Sequence, residues 1–210
     1  MNFWQFLIQN RSQVLELTLE HLWLVGASIF FAVLVGLPLG ILITRVPRLS
    51  KVVLGTANVI QTIPSLALFG FLLPTPWLGV RASRLAILAL TLYALLPLIR
   101  NTYTGIKGVD PAVVEAGRGM GMTDRQLLWQ VELPLALGVI LAGVRVATVL
   151  CVGLATIAAA IGAGGLGELI FRGLSMVNNS VILAGAVPAA LLAILADWSL
   201  GWLEHRLSPR

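Results

Sequence analysis

Apolar residues run through this chain in five long stretches, at about 22–44, 52–73, 84–100, 136–160 and 181–203, and short segments between them hold most of the charge. The hydrocarbon core of a bilayer is about 30 Å thick, so a spanning helix needs roughly 20 apolar residues. Each stretch is close to that length. Backbone polar groups in lipid must be satisfied within the segment, which makes these stretches helices rather than strands. The pattern predicts an all-α membrane protein with about five transmembrane helices. Residues 1–210 form one transmembrane domain, and little chain is left for anything outside the membrane.

Composition agrees: of 210 residues, 58% are hydrophobic and 11% charged. The net charge of +5 is read as orientation rather than as a nucleic-acid surface, because Lys and Arg sort by loop. Arg45, Arg48 and Lys51 follow the first stretch, Arg100, Lys107, Arg118 and Arg125 the third, and Arg206 and Arg210 the fifth. The other side carries Arg11, Arg81, Arg84 and Arg172, with Arg145 set apart inside the fourth stretch. Nine cations against four place the N-terminus outside, the C-terminus in the cytoplasm, and the loop at about 101–135 in the cytoplasm. The single Cys151 excludes an internal disulfide and suits a small packing residue. Residues 1–20 lack a basic start and a small-residue cleavage site, so no cleavable signal peptide is expected. Phe3, Trp4, Phe6, Leu7 and Ile8, followed by Asn10, Arg11 and Ser12, read as an interfacial helix and a turn, with Ser12 capping the next helix.

The cytoplasmic loop is punctuated for two short helices. Asp110 caps the first, and Pro111 occupies its first position, where a missing N–H costs nothing. Gly119-Met120-Gly121 breaks it. Thr123 to Gln126 reads as a capping box for the second, which Pro134 is expected to end. The knob exposes Val113, Val114, Met120, Met122, Leu127, Leu128 and Trp129 among few charges. Such a surface either lies on its own bundle or enters a groove on a partner, and the residues alone leave both open.

Inside the second stretch, Asn58, Gln61, Thr62 and Ser65 share one helical face, with a kink expected at Pro64. Intramembrane polar groups face a bundle interior or a water-filled cavity. As interhelical glue each is worth only about 0.6 kcal/mol on average. Four groups and a kink exceed what glue requires, so this face is read as part of a solute path. Thr148 and Thr156 of the fourth stretch are candidates for the same cavity. Gly143, Ala147, Cys151, Ala155 and Ala159 recur at every fourth position, a period that lets helices approach closely. Gly36 and Gly40, and Gly185, Ala189 and Ala193, repeat it. Arg145 either snorkels to the interface or pairs with Asp197. Trp77, Trp129, Trp198 and Trp202 sit at interface positions as anchors.

Other signals fail on context. Gly162 to Gly167 fits G-x-G-x-x-G, but it follows a membrane span and position 187 is Val rather than an acid. It is expected to form a tight turn at the outer face. No G-x-x-x-x-G-K-S/T loop is present, so the chain has no phosphate cradle of that kind. His21 and His205 are far apart, without a Cys/His cluster, which gives neither a metal site nor a resident cofactor.

Glu115-Ala116-Gly117, three residues, Gly121, nine residues, then Val131-Glu132-Leu133-Pro134 resembles the EAA loop of bacterial ABC importer permeases. Gly117 stands where the family has alanine and Val131 where it has isoleucine. Other stretches resemble the osmoprotectant branch, which carries glycine betaine, carnitine or choline. They are Gln61-Thr62-Ile63-Pro64-Ser65-Leu66-Ala67-Leu68, Tyr93 to Tyr103, Glu115 to Thr123, and Ile161 to Gly167, together about residues 20 to 175. The resemblance implies a type I importer permease fold in the bacterial cytoplasmic membrane and a transport subunit rather than an enzyme. Glu115, Ala116, Gly117 and Gly121 become the ATPase-coupling residues, with the first loop helix docked on the ATPase. The implied partners are two ABC ATPase subunits, a second permease subunit, identical or related, and an extracytoplasmic substrate-binding protein. A permease for an amino acid such as methionine, or a membrane scaffold without a pore, are the competing readings, and the polar face of the second stretch argues against the scaffold.

The charge asymmetry generates a direct test. A cysteine at Thr123 should be labelled only by reagents that reach the cytoplasm, and one at Val80 from outside; the reverse pattern would invert the assigned orientation.

Overall fold

A computed structural model describes residues 3–74 and 81–208, so Trp77 and Val80 lie outside the described residues. Helices α1 (Phe3–Gln9), α2 (Arg11–Arg45), α3 (Pro47–Thr62), α4 (Ser65–Leu72) and α5 (Ala82–Lys107) come first. They are followed by α6 (Pro111–Gly119), α7 (Asp124–Leu127), α8 (Leu133–Ala158), α9 (Gly167–Ser175) and α10 (Asn179–Leu207). A π turn, Leu128–Glu132, joins α7 to α8, and a 3-10 turn, Ala159–Ile161, ends α8. The described residues form no strand.

Among the described residues, four helices are long and apolar enough to cross a membrane: α2, α5, the continuous run Asp124–Ile161, and α10. The second stretch departs from the expected kinked helix, because α3 and α4 meet at an angle of 100°. Pro64 is the cause: the residue before a proline is driven out of the helical region, and Ile63 takes φ −68° and ψ 128°. The Tyr93 hydroxyl donates to the Ile63 carbonyl, and the Pro64 carbonyl accepts from Leu68 N at 2.9 Å. Asn58, Gln61 and Thr62 therefore belong to α3, while Ser65 opens α4 in a new direction, so the four do not share one straight face. By length and composition the bent pair is sufficient for one crossing. α3 begins beside the end of α2, and Arg81, Ala82 and Ser83 line a cleft with Glu20, Gly162 and Gly164 at the opposite end of the bundle.

Two other boundaries differ from expectation. Asn10, not Ser12, is the residue before α2, since Val14 N already donates to Asn10 O at 3.0 Å. Pro134 does not end the second loop helix. The π turn widens the helix just before it, with Leu133 N donating to Leu128 O five residues back, and α8 continues through.

α5 is the hub. Leu90, Ala94 and Leu98 are buried on it between α2 and α8. The small-residue stripe packs as expected: Gly143, Ala147, Cys151 and Ala155 are buried, and the Cys151 thiol lies 3.5 Å from Leu90 O. A methyl at Gly40 would lie 2.5 Å from Thr102 Cβ. A second cluster, Leu17, Leu166, Leu169, Val181 and Ala184, closes the bundle beneath α1. Arg145 pairs with Asp197 rather than snorkelling, with Nε–Oδ1 2.5 Å and Nη2–Oδ2 2.8 Å, and Glu204 Oε2 lies 3.5 Å from Nη1.

Close approach at the α5–α8 seam can be tested. A methyl at Gly143 would meet Asn101 Cβ at 2.6 Å and Pro97 O at 3.0 Å, whereas one at Gly153 meets nothing within 4 Å. Gly143→Ala should destabilise the protein by about 1–3 kcal/mol, read as a lower melting temperature in detergent, and Gly153→Ala should not lower it.

Candidate coupling loop and translocation path

The loop folds as a compact two-helix knob. Asp110 Oδ1 accepts from Ala112 N at 2.9 Å, and Pro111 starts α6. The helix closes in a Schellman motif: Met122 N donates to Gly117 O at 3.1 Å and Gly121 N to Arg118 O at 2.9 Å. Gly121 sits at φ +84°, a conformation that side chains rarely adopt. Thr123 and Gln126 then make the reciprocal capping box, Thr123 N to Gln126 Oε1 at 2.9 Å and Gln126 N to Thr123 Oγ1 at 3.3 Å.

The four motif residues divide by position. Glu115 and Ala116 are exposed on α6. Gly117 is buried, and a methyl there would lie 2.7 Å from Leu127 Cδ1 and 3.2 Å from Met122 Sδ. Gly117 and Gly121 therefore shape the knob, while Glu115 and Ala116 are presented by it. Val113, Met120 and Trp129 remain exposed apolar residues on the same unit. Leu127 is fully buried, and Leu128 and Leu133 pack against Ile106, Ala136 and Ile140, as Leu37 and Ile41 of α2 also do. The knob is thus built onto the bundle at its base and open on its outer surface.

The polar residues assigned to a path are less unified. Asn58 Oδ1 accepts from Arg100 Nη2 at 3.0 Å, tying α3 to α5. Gln61 and Ser65 are half-buried on either side of the break, and Thr62 is exposed with its hydroxyl turned to Val59 O at 2.7 Å. Thr148 and Thr156 donate within their own helix, to Val144 O at 2.8 Å and Gly153 O at 2.7 Å. Thr156 lines a cleft with Val152, Ile170, Ala186 and Ala190, between α8, α9 and α10. No α3 residue lines that cleft. Within one chain, then, the structure does not bring the α3 group and Thr156 into one cavity.

Several polar contacts had no sequence signal beyond the residues themselves. Arg45 reaches Glu132 with both terminal guanidinium nitrogens, although Arg45 read only as an orientation charge and Glu132 had no assigned role within the loop motif. Glu20 accepts from Gly165 N at 3.0 Å, and His21 is fully buried with Nε2 3.1 Å from Val152 O. Glu20 thereby holds the Gly162–Gly165 turn, whose three glycines have φ of 78°, 87° and 81°, while His21 ties α2 to α8.

The binding-protein-dependent transport system inner membrane component family matches residues 36–209. The chain belongs to this family. Among curated relatives, a glycine betaine/carnitine/choline transport system permease protein of Bacillus subtilis, OpuCD, is 50% identical over 96% of this chain and 87% of its own. A carnitine transport permease protein of Listeria monocytogenes, OpuCB, is 44% identical over 98% of this chain and 93% of its own. The fold of the permease is likewise that of solved importers. An inward-facing structure of the MetNI methionine ABC transporter covers 90% of this chain and 94% of its own, with a TM-score of 0.82 and 25% identity. The permease is thus a multi-pass membrane protein with the type I ABC importer permease fold.

The loop geometry separates its two glycines. Gly121→Val forces a β-branched residue to positive φ and should reduce copurification of the ATPase or uncouple hydrolysis from uptake, with membrane insertion unchanged. Gly117→Ala meets only the movable ends of Leu127 and Met122 and should retain both. Glu115→Ala, which keeps the helix, should fall between them. Unchanged copurification and uptake for Gly121→Val would show that the turn does not serve the joint.

Proposed function

We propose that this permease forms the membrane pore of an ATP-driven osmoprotectant importer in the bacterial cytoplasmic membrane, with its N-terminus outside and its C-terminus and α6 in the cytoplasm. Two ATPase subunits dock on the α6 knobs of two permease subunits, and an extracytoplasmic binding protein delivers the solute. Closure of the ATPase pair on ATP moves the knobs and rocks the bundles about a central site. The observation that carries the substrate class is the near full-length likeness to permeases named for carnitine, choline and glycine betaine, at higher identity than the methionine transporter shows. Exposed Glu115 and Ala116 on a folded, apolar-surfaced knob support the coupling role. The half-buried Gln61 and Ser65 flanking a 100° break support a polar path, because irregular backbone at membrane depth is tolerated where it is buried or lines a cavity.

The test is reconstitution of the permease with its ATPase and binding protein in liposomes. ATP-dependent uptake of labelled glycine betaine, carnitine or choline is expected, without uptake of methionine; ATP-driven methionine uptake instead would move the protein to the amino-acid branch. Gln61→Leu should cut uptake while the assembled complex still hydrolyses ATP. Normal uptake by that variant would return Gln61 to a packing role.

A further inference from the structure

The two loop helices do not hang from the bundle by a flexible tether. α7, the π turn and α8 form one continuous helix of 38 residues, Asp124–Ile161. That helix has a weak place at its base. In the π turn the backbone bonds reach five residues back, as Leu133 N does to Leu128 O, so the turn is wider than its neighbours. A push on the knob would be absorbed there unless the turn is held.

It is held by one ion pair. Glu132 is the last residue of the π turn and is only 4% exposed. Arg45 is the last residue of α2. Its Nη1 donates to Glu132 Oε1 at 3.2 Å and its Nη2 to Oε2. A two-pronged guanidinium–carboxylate contact fixes direction as well as distance, which a single-point contact does not. A buried carboxylate also resists losing its partner. Leu128 and Leu133, before and after Glu132, pack against the same Ile106, Ala136 and Ile140 cluster as Leu37 and Ile41 of α2. The widened turn is therefore fastened to α2 by charge and shares an apolar cluster with it. α2 in turn lies along α5 through Gly36 and Gly40.

We propose that the Arg45–Glu132 pair is a strut that carries displacement of the α6–α7 knob into α2, so that the π turn passes motion to two helices rather than yielding. Both are positioning residues for coupled transport. The proposal rests on the importer reading and adds to it a specific route from the knob into the bundle.

The assay is the reconstituted complex with its ATPase and binding protein, scored by solute taken up per ATP hydrolysed and by copurification of the ATPase. Glu132→Gln keeps the size and hydrogen-bonding capacity of the side chain and removes its charge. It should retain copurification and lower uptake per ATP at least about fivefold, the low end of typical couplings between sites. Arg45→Ala should behave alike, and Arg45→Lys, which offers one contact point, should lie between it and the unaltered protein. The reversed pair Arg45→Glu/Glu132→Arg should recover most of the lost ratio. Unchanged uptake per ATP in Glu132→Gln and Arg45→Ala would overturn the strut. So would a reversed pair no better than the single variants. Loss of ATPase copurification in Glu132→Gln would assign the pair to folding of the loop and also overturn it. If the unaltered complex fails to couple hydrolysis to uptake, the transport reading itself falls, and the strut with it.

Discussion

In hydrocarbon a backbone amide or carbonyl has no water to turn to, so every interruption of a helix must bring its own replacement partner. Among the described residues, three interruptions within the apolar bundle are each answered differently. At Ile63–Pro64 the tyrosine hydroxyl of Tyr93 takes the Ile63 carbonyl. Before Pro134 the helix widens into a π turn and keeps its bonds by reaching one residue further. At Gly162–Gly165, three glycines with positive φ reverse the chain, and the Glu20 carboxylate accepts from Gly165 N. These three irregular places delimit the parts expected to work: a broken crossing with polar neighbours, the base of the loop knob, and the turn that closes the opposite end.

Between the interruptions the bundle is held by proximity. Lipid tails are as apolar as leucine, so helices in a membrane gain most by approaching closely over small residues. Gly36 and Gly40 admit Leu98 and Thr102, and Gly143 admits Asn101 and the Pro97 carbonyl. All of these partners are on α5, so α2 and α8 both pack closely against it. The intramembrane charges follow the same economy: Arg145 spans α8 to α10 by pairing with Asp197 and approaching Glu204, leaving none of the three alone in the bundle. A bundle tied this way is suited to moving as a body, which is what a knob at one end requires if it is to change access at the other.

The knob shows how a short motif produces a compact folded unit. Gly121 supplies the positive φ that closes α6, Gly117 makes room for Leu127, and the Thr123–Gln126 box starts the next helix without a linker. Of the motif residues on α6, Glu115 and Ala116 are exposed and Gly117 is buried. The family motif thus mixes residues that shape the turn with residues that the turn presents: Gly117 is told apart by burial and Gly121 by its positive φ.

The sequence by itself determined the number and rough extent of the apolar helices, the caps and the break of the loop knob, the small-residue seams and the family. Each of these is a local property: span length, capping chemistry and a four-residue period are written in consecutive residues. Orientation was likewise legible as an expectation from charge alone. Tertiary structure decided the rest. Pro64 turns a kink into a 100° bend because Tyr93, 30 positions away in sequence, is placed to satisfy Ile63. Pro134 fails to stop a helix because the π turn ahead of it leaves room for the ring. Arg45 meets Glu132, 87 positions apart, because α2 ends where α8 begins. The polar residues of α3 and Thr156 looked like one path in sequence and line different surfaces in space. Helical period fixes which side of its own helix a residue occupies, and only the packing of helices decides what that side meets.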